Sequence, residues 1–231
     1  MVRRQRVWWV AAAAAAVVAV STALLAGPGN DRASAGAAPT MLVIGDSISA
    51  SYVDEPGSPK QAWWSFVARE LGYETTVLAE AGSGYQRPGS QCRGTTFPQR
   101  PGVFEQPPPS LILVEGGRND WARCDGTDLV PVPSEEVLAA ADAFLERLTT
   151  TYPDARVVVL APPWGPLQQQ YVDDVTAAIE TAADRNGCEF LPMDGVLPED
   201  RTPDGVHPDL DGSRAIAEVV LTALNREPDA V

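Results

Sequence analysis

At 231 residues, 45% hydrophobic and 21% charged, the chain has the length and composition of one folded domain with a buried core rather than of a disordered polymer. Its 31 acidic side chains outnumber 17 basic ones, which argues against nucleic acid or anionic lipid head groups as partners. One histidine and three cysteines without metal-like spacing argue against a zinc site.

The N-terminus stands apart from the fold. Arg3, Arg4 and Arg6 precede an apolar run at 7–26, with Ser21 and Thr22 its only hydroxyls, and Ala33-Ser34-Ala35 offers a small-residue cleavage site before Gly36. This is the layout of a secretory signal. The run is about 20 residues long, enough to span a bilayer. Residues 1–35 therefore read as a signal peptide or as an N-terminal membrane anchor, and either places the remainder outside the cytoplasm. Removing the four arginines and one aspartate before Gly36 leaves 13 basic against 30 acidic side chains, a net charge of −17. Residues 27–39 are Gly, Pro, Ala and polar and read as a linker, of which 36–39 would follow the cleavage site; the domain proper is expected over 40–231.

The run MLVIG at 41–45 predicts a buried strand. Ser58-Pro59 has the form of a helix start, followed by Trp63, Trp64, Phe66, Val67 and Leu71 and ended by Gly72. A second strand is expected near 74–79. Residues 81–109, rich in Gly, Pro, Gln and Arg, predict a long irregular segment of the kind that carries function. LILVE at 111–115 is a third strand. Ser134 caps a helix to about 151, and VVVLAPP at 157–163 is a fourth strand stopped by proline. A helix over about 168–185, a fifth strand at 188–193 and a last helix over about 211–225 complete the chain. Strands alternating with helices imply an α/β fold with a parallel sheet of about five strands covered on both faces. In such sheets ligands bind beyond the carboxyl ends of the strands.

The residues just after the strands carry the chemistry. Strand one ends in Gly45-Asp46-Ser47, strand three runs into Gly116-Gly117-Arg118-Asn119-Asp120, and strand five leads to Asp204-Gly205-Val206-His207. Together they supply a hydroxyl, an amide, a carboxylate and an imidazole, the parts needed for acyl transfer. Ser47 needs a base, and His207 is the one imidazole in the chain. Asp204 can accept from its Nδ1–H and fix the tautomer. Donors for an oxyanion are expected from the Ser47 N–H, the Asn119 amide, and a backbone N–H of Gly84 or, alternatively, Gly82.

GDS at 45–47, GRND at 117–120 and DGVH at 204–207 resemble blocks I, III and V of the SGNH, or GDSL-like, hydrolases. The resemblance spans roughly 41–226. It implies a three-layer α/β/α, flavodoxin-like fold, a shallow open site, and hydrolysis of carboxylic esters or removal of acetyl groups without a metal or cofactor. Its four signature residues map onto Ser47, a glycine at 82–84, Asn119 and His207. The second block is the weakest match, reading LAEAGSGY where relatives often carry an asparagine. The G-x-S-x-G elbow of α/β-hydrolases is absent.

Other residues read more plainly. Asp46 is expected to brace its loop. Arg118 and Asp120 read as solvated or loop-bracing, and loss of the Arg118 side chain is expected to matter little. Trp63 and Trp64 read as packing residues, whereas Trp164, after strand four, is a candidate substrate contact. Cys92 and Cys124 lie in loops after strands two and three, which predicts a disulfide between them and leaves Cys188 as a core thiol. The expected substrate is a small-molecule, glycan or lipid ester. The same site could serve an acyltransferase to a sugar or lipid alcohol, and a non-catalytic binding module could keep the fold.

Overall fold

A computed structural model describes residues 38–50, 58–167 and 169–225. The signal or anchor expected at 1–35 lies outside the described residues. Among the described residues, no helix is long and apolar enough to cross a membrane.

Five parallel strands form the central sheet: β1 (Thr40–Gly45), β2 (Glu74–Ala79), β3 (Leu111–Glu115), β6 (Arg156–Leu160) and β7 (Glu189–Leu191), in the order β2-β1-β3-β6-β7. Helices α2 (Trp63–Leu71) and α5 (Leu210–Leu224) cover one face, and α3 (Ser134–Thr151) and α4 (Val172–Arg185) the other. Strand alternation feeds both layers. Leu42 and Ile44 of β1 join the α3/α4 core, while Met41 and Val43 join the α2/α5 core. All four are at most 1% exposed. A strand buried on both faces must be apolar throughout, which is why 41–44 and 111–114 read as unbroken apolar runs.

Local chemistry sets the ends of the elements. Gly72 closes α2 in a left-handed conformation (φ 72°) and returns its N–H to Ala68. The Asp209 carboxylate caps α5 by accepting from the Gly212 N–H at 2.7 Å. The Ser58-Pro59 start initiates only a 3-10 turn, Pro59–Gln61. Ala62, extended at ψ 144°, interrupts it before α2 begins at Trp63. A similar turn, Gln169–Tyr171, precedes α4, so that helix starts four residues later than the sequence suggested.

One element escaped the sequence reading. β4 (Ala122–Asp125) and β5 (Asp128–Pro131) form an antiparallel hairpin after β3. Gly126, at φ 63°, takes the first position of its two-residue turn. The predicted disulfide joins Cys92 to Cys124 on this hairpin, with the Cα atoms 5.7 Å apart, and Cys188 is a buried free thiol. The irregular 81–109 segment is packed and ordered. Tyr85 and Phe97 meet Phe144 of α3 edge-on or tilted, and Tyr152 receives the Gln106 N–H while donating to the Val103 carbonyl.

Candidate active site

In this strand order the chain leaves β1 toward β2 and then returns to β3 on the opposite side. The loops after β1 and β3 therefore diverge and open a crevice at the carboxyl edge of the sheet. Ser47 begins the short helix α1 (Ser47–Ala50) directly after β1, and Asn119 follows β3. His207 approaches from the loop before α5.

The three chemical groups meet. His207 Nε2 lies 2.8 Å from Ser47 Oγ, and His207 Nδ1 lies 2.7 Å from Asp204 Oδ2. Asp204 Oδ1 also accepts the backbone N–H groups of Val206 and His207, which folds 204–207 into a tight turn. Partial burial pushes the Asp204 carboxyl up, but hydrogen bonds from the His207 side chain and from the His207 and Val206 backbone outweigh it and hold it at about 2. Asp204 is thus ionised at neutral pH and able to accept from Nδ1–H.

Asn119 bridges two other loops. Its Nδ2 donates to Asp46 Oδ2 at 3.1 Å and to the Ser83 carbonyl at 2.9 Å. Asp46 Oδ1 accepts the Ile48 N–H at 2.9 Å, so one carboxylate holds both the nucleophile's helix and the amide. The Ser47 N–H makes no hydrogen bond with a described residue.

The glycines behave differently from one another. The Gly84 N–H donates to the Arg87 carbonyl at 2.9 Å. Glycine is required at 84 because the Asp120 carboxylate packs where a Cβ would stand. Asp120 is fully buried and accepts the N–H groups of Tyr85, Gln86 and Arg87, so the 84–87 turn is wrapped around it. Gly82, at φ 73°, makes no N–H bond to a described residue.

Beneath Ser47 lie charged groups that the sequence reading passed over. Glu115, ending β3, is fully buried; Ser49 Oγ donates to its Oε2 at 2.6 Å, and Trp63 Nε1 donates to Ser49 Oγ at 3.1 Å. Burial and the neighbouring Asp46 push Glu115 well above the usual carboxylate range. Burial likewise raises Asp46 to about 6, against lowering by the Ile48 N–H and by the charges of Arg118, His207 and Arg100. Arg100 is 7% exposed and clasps the carbonyls of Gly45 and Leu78 and the Ser83 hydroxyl, tying the ends of β1 and β2 to the 81–87 loop. A signal for Glu115 was present, since an acid closing a strand buried on both faces has no route to water.

Arg118 and Asp120 are not solvated: they are 2% and 0% exposed, and both brace loops. Trp63 and Trp64 pack α2 onto α1 by donating to Ser49. Trp164 is buried, donates from Nε1 to Thr176 Oγ1 at 3.2 Å, and has the Arg118 guanidinium over its ring at 5.2 Å. Trp164 lines a cavity of about 250 Å³ with Met193, Leu197 and Pro198, which Ser47, Asn119 and His207 do not line. It is a wall of that cavity rather than an open platform beside the serine. Among the described residues no cluster of His, Cys, Asp and Glu could hold a metal ion.

A serine, an imidazole and a carboxylate relayed in this way on this sheet define a hydrolase-type site. Residues 43–215 match the GDSL-like lipase/acylhydrolase family, and the chain belongs to that family, a class of carboxylic ester hydrolases with the SGNH fold. No curated protein matches it in sequence. Solved structures of similar fold include a carbohydrate esterase family 2 enzyme from Corynascus thermopiles (Myceliophthora fergusii), at 20% identity and TM-score 0.63, covering 80% of this chain and 65% of that one. A family two carbohydrate esterase from Clostridium thermocellum, in complex with cellohexaose, matches at 18% identity and TM-score 0.64 over 80% of this chain and 63% of that one. A carbohydrate acetylesterase from Sinorhizobium meliloti matches at 17% identity and TM-score 0.61 over 80% of this chain and 98% of that one. The chain thus spans less than two thirds of the first two and nearly all of the third.

Proposed function

We propose that this protein is an exported serine esterase that removes acyl groups, acetyl above all, from a carbohydrate or similar small alcohol through a covalent acyl-enzyme. The observation that carries the reading is the continuous relay Ser47 Oγ–His207 Nε2 and His207 Nδ1–Asp204 Oδ2, at 2.8 and 2.7 Å. The fold similarity to carbohydrate esterases, one of them a carbohydrate acetylesterase, supports the substrate class. The basic, apolar and small-residue layout of 1–35 supports export, as does the disulfide.

In this mechanism Ser47 Oγ attacks the ester carbonyl carbon as its proton passes to His207 Nε2. Asp204 steadies the imidazolium that forms. The carbonyl π electrons move onto oxygen, and the oxyanion accepts from the Ser47 N–H and from Asn119 Nδ2, which shifts from its bond to Asp46 or Ser83. A third donor comes from the 82–84 turn: Gly84 once its bond to Arg87 opens, or Gly82. Collapse breaks the C–O bond to the alcohol, which leaves with the Nε2 proton. Water then gives a proton to His207, attacks the acyl carbon, and releases the acid as Ser47 Oγ recovers its proton.

The test is hydrolysis of p-nitrophenyl esters from acetate to palmitate with Ser47→Ala as control. The reading expects activity greatest at short chains and lost in Ser47→Ala; full activity in Ser47→Ala overturns it.

A further inference from the structure

Arg118 stands immediately before Asn119, yet its side chain turns away from the amide and into the protein. Its Nη1 lies 3.5 Å from the Pro163 carbonyl and its Nη2 3.4 Å from the Leu167 carbonyl, with the Trp164 ring beneath its charge. These are long hydrogen bonds, but Arg118 is only 2% exposed, and electrostatic contacts strengthen where water is excluded. All three contacts fall on one segment, 163–167.

That segment supports the histidine loop. The Leu167 N–H donates to the Gly205 carbonyl at 3.3 Å. Gly165 packs so closely on Gly205 that a Cβ at 165 would run into the same carbonyl oxygen. A Cβ on Gly205 would in turn meet the Leu167 side chain at 2.9 Å. Gly205 lies between Asp204 and His207. Both are partly open to solvent, with side chains 49% and 29% exposed, so burial alone does not fix them.

We infer that Arg118 is a positioning residue, whose forked guanidinium fixes the 163–167 segment and through it the height and aim of the His207 imidazole over Ser47. The inference rests on the esterase reading above. Arginine suits this task because its planar fork can span two carbonyls at once, which a lysine ammonium cannot do in the same geometry. Its charge is also felt by the acidic side chains Asp46, Glu115 and Asp204 around the nucleophile and the base. Arg118 thereby couples the amide loop after β3 to the base loop before α5. No sequence signal pointed to this role, and it replaces the expectation of a dispensable side chain.

The experiment compares Arg118→Lys and Arg118→Met with the wild type on two acetates, one with p-nitrophenol and one with a simple alkyl alcohol as leaving group. p-Nitrophenolate departs without a proton, whereas an alkoxide needs the Nε2 proton. A misaimed imidazole therefore costs more on the alkyl ester, while a merely reduced folded fraction costs the same on both. Arg118→Lys, which keeps the buried charge, should melt within a few degrees of the wild type. It should show kcat lower by about 10-fold on p-nitrophenyl acetate and by about 100-fold on the alkyl ester, with KM within about twofold. Arg118→Met should lose more on both. Its loss should be non-additive with that of Gly165→Ala, since both act through the same segment. Wild-type kcat in Arg118→Lys, or equal fractional losses on the two esters, overturns the inference. Retained activity in Ser47→Ala instead overturns the esterase reading on which it rests.

Discussion

The Asn119 amide rests on the Asp46 carboxylate, Nδ2 to Oδ2 at 3.1 Å, and so links the loop that ends β3 to the residue that precedes the nucleophile. A carboxamide is neither an acid nor a base near neutral pH and is no nucleophile, so any contribution of Asn119 to the proposed catalysis comes through hydrogen bonding. Its amide should strengthen its hold as the carbonyl oxygen gains charge. Asn119→Ala should keep KM and lower kcat by about 10²–10³, the usual loss for one oxyanion donor. Steady-state kinetics on p-nitrophenyl acetate read this directly. An unchanged kcat would remove Asn119 from the site.

Gly165 makes a sharper test of the loop geometry. Its α-carbon faces the Gly205 carbonyl with no room for a methyl group, and the obstacle is backbone rather than a flexible side-chain tip. Gly165→Ala should displace the 204–207 turn and lower kcat by about tenfold or more, since small misplacements of a reacting group are costly. Substrate affinity should change little. A wild-type kcat in the folded variant would show that the turn absorbs the displacement.

Buried acids give the stability an unusual pH dependence. Burial raises Asp120 to about 6 despite three backbone N–H donors. Its unfolded value is about 3.9, so between these values the folded state binds more protons than the unfolded chain. Stability then falls as pH rises through this window. Going from pH 7.5 down to 5 should stabilise the fold by about 1 kcal/mol from Asp120 alone. For a domain of this size that is roughly 2–4 °C in Tm. Asp46, raised to about 6, acts in the same direction. Thermal melts at the two pH values measure the shift, and Asp120→Asn should reduce it. A Tm that is higher at pH 7.5 than at pH 5 contradicts this account.

The cysteines can be counted. Denatured, unreduced protein should titrate one thiol, Cys188, whose burial raises it to about 11 in the native state. The Cys92–Cys124 bridge closes a sequence separation of 32 and should stabilise the fold by about 3–4 kcal/mol in the loop-entropy model. Reduction should lower Tm accordingly. It should also depress activity, because the bridge holds the loop that carries Ser83 and Gly84 against the hairpin that follows Asn119. Three titratable thiols in the unreduced protein would refute the bridge.

The fold was legible because its central strands are buried on both faces, so 41–45 and 111–115 stand out as apolar runs ending in glycine or an acid. The serine, imidazole and carboxylate were legible because each follows a strand at the edge where such sheets bind ligands. The β4–β5 hairpin was not, since its strands are four residues each, mostly exposed and without a clear alternating pattern, although Asp125-Gly126 marked its turn. Nor was the bracing by Arg100 and Arg118. A lone charged residue looks alike whether it reaches water or folds inward onto carbonyls, and only the tertiary packing separates the two. Gly84 shows the limit from the other side: it stood out, with Gly82 as the alternative, as a candidate oxyanion donor, but what requires glycine there is the Asp120 carboxylate behind it.

Every strand of the central sheet points the same way, and this gives the molecule a working end and an idle end. Ser47, Asn119 and His207 all stand beyond the strands' carboxyl termini. Thr40, where β1 begins, and Leu224, whose carbonyl accepts from Arg156 at the start of β6, stand at the other. A six-residue strand separates the two ends by about 20 Å. A bead or a fusion partner holding the folded domain at Thr40 or at Leu224 would grip the idle end, leaving the crevice turned outward.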